Sequence, residues 1–347
     1  MQEMKHNHLK GGTVQKYNSI DIGKFIMAIC VIALHTHPLE GVHNEIILAI
    51  YSNFVSCAVP FFFLASGFLL ARKFKSPLDT YDNIIIVRNY LFHIAKLYVI
   101  WTIIYLPMAI YHFVDTGISF KKSILLYLRG FVFLGEQYNS WMLWYLLSTV
   151  YALIFIMICL KKHASLIRIN VYASIIMIVS ISIDCLMNSS SALALSLGIV
   201  QKVIRNSIAN GRILHGLFYI PFGMLLWYKR INIKYSLAAF ILSFAASCFT
   251  QNVVVSSLLC IVNGVAFFSA VKEVDLPNAP RYATYRKISI GMYFTHMYIW
   301  TLYYTIAYGK KTFGFDCFVV TLILSVILSY LYTRVKDIKS TSRLQLQ

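Results

Sequence analysis

Long apolar runs dominate the chain, and short polar segments carrying most of the lysines and arginines separate them. Ten runs are each long enough to be read as a helix crossing a bilayer core of about 30 Å. They cover roughly residues 22–38, 46–71, 84–113, 141–160, 171–187, 213–228, 235–249, 253–271, 289–308 and 317–333. Two further apolar pieces, 124–134 and 192–200, are too short to span, and the first suits an interfacial or re-entrant segment. Residues 1–19 form a loose polar head, 20–335 one membrane domain and 336–347 a short tail. The first run begins after that head and lacks a small-residue cleavage site, so it reads as a retained helix. The pattern predicts an all-α, polytopic membrane protein of about ten transmembrane helices.

Composition agrees. The 347 residues are 59% hydrophobic and only 13% charged, and the mean hydropathy is +0.68. A formal charge of +18 raises the question of nucleic acid. The cations punctuate apolar runs and form no basic stripe, so no nucleic-acid partner is expected. With the head inside, inner segments hold 20 of the 31 cations and outer segments 8. That bias places both termini in the cytoplasm. The seven cysteines sit singly, without metal-ligand or CxxC spacing, so neither a disulfide frame nor a metal site is expected.

The chemistry concentrates in the first run, where Asp21, Lys24 and His35 interrupt a helix about one bilayer long. Lys24 and His35 are eleven residues apart. At ~100° per residue that is three turns plus ~20°, so they share a face, roughly 16 Å apart along the axis. A cation and an imidazole near opposite mouths of one groove suit chemistry that joins a donor on one side to an acceptor on the other. An imidazole has the pKa for general-base work on a hydroxyl. The competing readings are a His35 hydrogen-bonded to a neighbouring helix and a Lys24 snorkelling to the headgroups. His37 points ~200° away from His35 and ranks lower.

Lys24-x10-His35 resembles the Arg/Lys-x10-His signature in the first helix of the acyltransferase 3 family of bacterial membrane acyltransferases. Phe62-Phe63-Leu64-Ala65-Ser66-Gly67-Phe68 resembles that family's FF-x-x-SG-F stretch. Ser289-Ile-Gly-Met-Tyr293-Phe-Thr-His296 resembles its S-x-x-x-Y-x-x-H ending. The three together cover nearly the whole chain. The resemblance implies a ten-helix protein that moves acyl groups, usually acetyl from acetyl-CoA, onto sugars or other envelope acceptors. Lys24 in place of Arg, Trp144-Tyr145-Leu146 and the stretch around Leu97-Tyr98-x-x-Trp101 look most like the membrane half of vancomycin-resistance serine racemases. That half is thought to import serine, and no racemase domain is expected here.

Many family members carry Arg-x-x-Arg, a donor-binding pair, at the third helix; the matching slots are His93 and Lys96. Neither offers the bidentate fork of Arg. Arg88, roughly 80° around the same helix from Lys96, is a candidate substitute. Ser66-Gly67 permits close backbone approach, and helix packing is the simpler use of Gly67. Pro60 is expected to kink its helix. Glu136 is a rare acid on the outer side, either a loop residue or a ligand for acceptor hydroxyls. Trp141, Trp144 and Tyr145 fit an aromatic belt, with sugar stacking as the alternative. Arg205 and Arg212, with Asn206 and Asn210, break the charge bias in an outer loop. His296 lies mid-span, where structural bonding and a role in the groove compete evenly.

The expectation is therefore an integral-membrane acyltransferase of the bacterial plasma membrane. Acyl-CoA is a co-substrate met near Lys24, His93 and Lys96, with no permanently bound cofactor and no metal. His35 is the base and Lys24 the charge stabiliser. The acceptor is an envelope glycan or small molecule met by Asp21, Ser66, Glu136, Trp144, Tyr145, Arg212 and His296. A transporter of a small polar solute such as serine is the alternative. Membrane lipids are the other partners, and the oligomeric state is left open.

Overall fold

A computed structural model describes residues 17–188, 198–207, 211–308 and 313–344. The expected head over residues 1–16, residues 192–197 of the short apolar piece, and the side chains of Arg205, Asn206, Asn210, Lys310 and Lys311 lie outside them. The described residues contain helices and no strand. The helices are α1 (Asn18–Thr36), α2 (Glu45–Ser56), α3 (Ala58–Ala71), α4 (Tyr81–Asp115), α5 (Phe120–Arg129) and α6 (Trp144–Lys161). There follow α7 (Leu166–Asn188), α8 (Gly198–Ser207), α9 (His215–Tyr228), α10 (Ile233–Phe249), α11 (Val253–Glu273), α12 (Pro280–Tyr303) and α13 (Phe315–Leu344).

Each of the ten apolar runs lies in this helical framework. Seven stretches are long and apolar enough to cross a membrane by length and composition, including α2 and α3 taken together. Of the others, α9 has 14 residues, α10 has 17, and α12 opens on Arg281, Arg286 and Lys287. The chain is an all-α polytopic membrane protein. Residues 124–134 form the end of α5 and a π-helical turn, Gly130–Leu134. No residue of α5 is buried. The last helix continues through Leu344, so the tail begins within α13.

Local chemistry sets the boundaries. Asn44, Thr80 and Asn252 each accept a backbone N–H with the side chain at the starts of α2, α4 and α11. α1 stops where His37 turns left-handed, at φ +45°, its N–H bonded to the Ala33 carbonyl; Pro38 then blocks continuation. The second span breaks at Cys57 and restarts with Pro60 in the first turn of α3. A proline needs no N–H partner there, and the missing donor to the residue four back explains the break.

The centre is the pair α3 and α9, around which α1, α6, α7 and α11 pack. A Cβ on Gly67 would overlap the Ile220 carbonyl oxygen, and one on Gly223 that of Leu64. The two glycines thus let the backbones meet, which is how helices associate where apolar burial gives no drive. Phe61, Phe63, Tyr219 and Phe268 fill the space around them. α12 packs against both α1 and α13. We call the end where α1 begins the near end and the end where it stops the far end.

Candidate functional site

At the far end His35 occupies the last turn of α1, half-buried. Its ring stacks on His296 of α12, with centroids 5.4 Å apart and planes 29° apart, and lies 6.1 Å from the Trp141 ring. His296 is fully buried. Its Nδ1 is 2.9 Å from the Met292 carbonyl oxygen, so Nδ1–H donates and the neutral ring presents Nε2 as an acceptor. Nε2 is buried and has no hydrogen-bond partner among the described residues. One nitrogen fixes the ring and the other is left for a proton donor.

The loop before α6 completes this end. Asn139, in a left-handed conformation at φ +53°, donates to Tyr304 Oη at 2.8 Å and Thr301 Oγ1 at 3.1 Å. Those bonds hold the loop on the end of α12 and set Trp141 beside His35. Glu136 pairs with Arg212, whose guanidinium lies 5.3 Å from the centroid of the Trp144 ring. Arg212 and His296 both act electrostatically on the His35 imidazole. A cavity of about 240 Å³ opens alongside, lined by His112, Arg129, Glu136, Gln137, Tyr138 and Trp141 among others. Gly130 is needed at its wall, because a Cβ there would overlap Gln137 and the Glu136 backbone.

Halfway along α1, Phe62 packs against Ala28 and Ile32, with the Tyr145 ring 6.3 Å from it. Tyr145 Oη and Ser66 Oγ are 3.1 Å apart, and Tyr90 of α4 stands near both. Tyr293 donates to the Met142 carbonyl at 2.6 Å. At the near end Lys24 is half-buried. Asp21 acts on it and pairs with Arg286 of α12 at 3.2 Å. Polar groups thus stand at three depths between α1, α3, α6 and α12.

The structure brings His35, His296, Glu136, Arg212 and Trp144 together at the far end, Ser66 and Tyr145 at mid-depth, and Asp21 with Lys24 at the near end. It does not bring Arg88, His93 and Lys96 to them. All three are exposed. The buried face of α4 carries Asn83, Val87, Ile94, Tyr98, Tyr105 and Ala109. At ~100° per residue Lys96 lies nearly opposite that face, and Arg88 and His93 roughly 90° and 130° from it. Sequence reasoning missed Tyr90, Asn139 and Arg286. Only Arg286 had a signal, since an acid as rare as Asp21 inside an apolar run demands a cation.

The sequence profile of a family described as an acyltransferase domain matches residues 17–334. Among curated proteins, the chain is 30% identical over 145 residues to an amino-acid racemase of Enterococcus faecalis, covering 42% of this chain and 20% of that protein. A second amino-acid racemase of that organism is 30% identical over 150 residues, 40% of this chain and 19% of the relative. A serine/alanine racemase of Enterococcus gallinarum is 28% identical over 126 residues, 36% and 18% respectively. The matches span about a fifth of each relative's own length. No solved structure matches the chain.

Proposed function

The chain belongs to the acyltransferase 3 family, and from that premise we propose that it is a multi-pass acyltransferase of the bacterial plasma membrane. It moves an acyl group, acetyl foremost, from acyl-CoA to a hydroxyl of an envelope glycan or another extracytoplasmic acceptor. The observation that supports this best is the His35–His296 stack, two imidazoles beside a polar cavity at one end of a bundle that carries a lysine on the same α1 face below. The near end faces the cytoplasm, in keeping with the excess of cations there.

In this reading the thioester reaches up the α1 face from Lys24. The acceptor lies in the far cavity, its ring against Trp141 and Tyr138 and its hydroxyls toward Glu136, Gln137 and Arg129. His35 takes the proton of the attacking hydroxyl, and the alkoxide adds to the thioester carbonyl. The Tyr145 hydroxyl at mid-depth stabilises the oxyanion, and Lys24, about 16 Å below His35 along α1, meets the negative charge of the donor at the near end. The adduct collapses, the C–S bond breaks, and the imidazolium of His35 returns its proton to the thiolate. His296 holds the His35 ring by stacking. Arg88, His93 and Lys96, on the outer side of α4, act on the donor only at long range, from the headgroup level their side chains reach.

Incubating the purified protein with labelled acetyl-CoA tests the reading. Label on an acceptor, or thioester hydrolysis lost in His35→Ala, is the expected result; no turnover with any hydroxylated acceptor overturns it. A second reading, a carrier of a small polar solute such as serine, draws on the three depths of polar groups and on the serine/alanine racemase among the relatives. Serine flux in proteoliposomes lacking any donor supports the carrier instead.

A further inference from the structure

The near end holds a second cavity, of about 230 Å³, where the start of α1 meets the ends of α3, α9 and α11. Asn18 and Ser19 line it. At ~100° per residue Lys24 lies about 120–140° around α1 from both, so this cavity and the Lys24–His35 face are on different sides of the helix.

Its wall contains a charge that an apolar bundle would avoid. The Lys272 side chain is 2% exposed, its ammonium paired with Glu273 and 5.8 Å from the Phe68 ring centroid. Tyr17, Phe68 and Trp227, which line the same cavity, pack edge-on against one another with ring centroids 5.1, 5.2 and 6.1 Å apart. Arg230 is exposed at the rim, and Arg72 lies 5.8 Å from the Tyr17 ring centroid. Arg230 and Glu273 line the cavity, and Arg72 stands outside its lining, against Tyr17. α1 begins there with no side-chain cap, so its first N–H groups are among those that a helix leaves without intrahelical partners.

The balance of charge favours an anion. Glu273 is committed to Lys272. The opposing carboxylate is Asp275, exposed at the rim, and against it stand Arg230, Arg72 and the positive end of the α1 dipole. Size and depth narrow the ligand further. The cavity is smaller than the roughly 300–1,000 Å³ of drug-sized sites, which suits a headgroup-sized ligand. It also lies where α3, α9 and α11 finish their apolar stretches, at Ala71, Tyr228 and Glu273, the level of lipid phosphates.

We propose that this cavity binds a phosphate-bearing group, from a phospholipid headgroup or a soluble phosphate compound, through Arg230 at its rim and the uncapped start of α1 behind it, with Arg72, beside the lining residue Tyr17, adding positive charge. Lys272, neutralised by Glu273 and packed on Phe68, closes the floor of the cavity without adding net charge. The site is independent of acyl transfer, and its test does not use activity.

The full chain, stripped of lipid in neutral detergent, is melted with increasing phosphatidylglycerol in mixed micelles. A second series uses inorganic pyrophosphate at matched ionic strength. At least one probe raises the melting temperature saturably; Arg230→Gln weakens the apparent affinity about tenfold or more, as loss of a charge-assisted contact requires, and Arg72→Gln weakens it less. Without probe the two variants melt like the native chain. A shift with phosphatidylglycerol alone identifies a lipid headgroup, with pyrophosphate alone a soluble phosphate compound, and with both the phosphate itself. No shift with either probe, or an equal shift in native protein and both variants, overturns the site.

Discussion

Two helices of this bundle carry the same kind of residue to different ends. α1 bears Asp21, Lys24 and His35, and α4 bears Arg88, His93 and Lys96, each set inside an apolar run. In α1, 56% of the most apolar window is buried, against 22% in α4. His35 stacks on His296, and Asp21 pairs with Arg286. Among the described residues Lys96 has no hydrogen-bonded or ionic partner, and it lies across α4 from the face that packs. An ionisable residue in an apolar run is therefore informative only together with the direction its helix turns it. On the packed side other polar groups can offset the desolvation that makes such a group costly, whereas on the outer side of a span the side chain has only the headgroup level to reach for.

The comparison breaks most sharply at His35. His35→Ala should lower acyl transfer by about 10²–10⁴-fold, the usual contribution of a general base. His93→Ala should leave the rate unchanged, with both proteins eluting as native-sized particles. Equal losses would show that burial does not separate the two helices. His296→Ala removes the ring that stacks on His35; a fall of roughly a hundredfold is expected, because a misplacement of about 1 Å costs that much. Comparison with His296→Gln, which restores a polar atom, separates positioning from bulk. Lys24→Met should follow with a rise of about tenfold in KM for acyl-CoA and little change in kcat, since the lost cation meets the donor and not the reacting carbonyl. Arg286→Gln comes next, at most about 1 kcal/mol in melting experiments, because half-exposed ion pairs are worth little.

Much of this was legible in advance, and the reasons for the rest are physical. Apolar length alone located the helices, because a bilayer imposes one length on every span. Lys24, His35, Gly67 and His296 could be singled out, since each departs from what a lipid-facing helix tolerates. Pro60 marked the break at Cys57 through the donor it lacks. The pairing of His35 with His296 could not be read, because nothing in either helix says that α12 packs on α1. The same gap explains α4: its positive residues keep correct spacing whichever way the helix is turned. Asn139 and Tyr90 were invisible because their importance comes from partners far along the chain. Lys272 was read only as part of the inner charge bias, and its burial depends on three other helices closing over it.

The smallest expected effect is the sharpest instrument. Lys96→Met removes a charge on the outer side of α4 whose ammonium snorkels to the headgroup level, and charges in contact with solvent more than about 8 Å from their target are largely screened at physiological salt. On the reading that α4 acts on the donor only at long range, KM for acyl-CoA at 0.15 M salt should change by less than about twofold, with kcat untouched. The same variant measured at 0.01 M salt, where the Debye length is about 30 Å, should show a larger rise in KM, because long-range attraction is then felt. A residue that binds phosphate by direct contact behaves differently: its loss raises KM at both salt concentrations, about tenfold for one charge-assisted bond. Such a rise would move the donor to the outer face of α4. Burial would then fail as the property dividing the two helices, and His93 and Arg88 would return as its ligands.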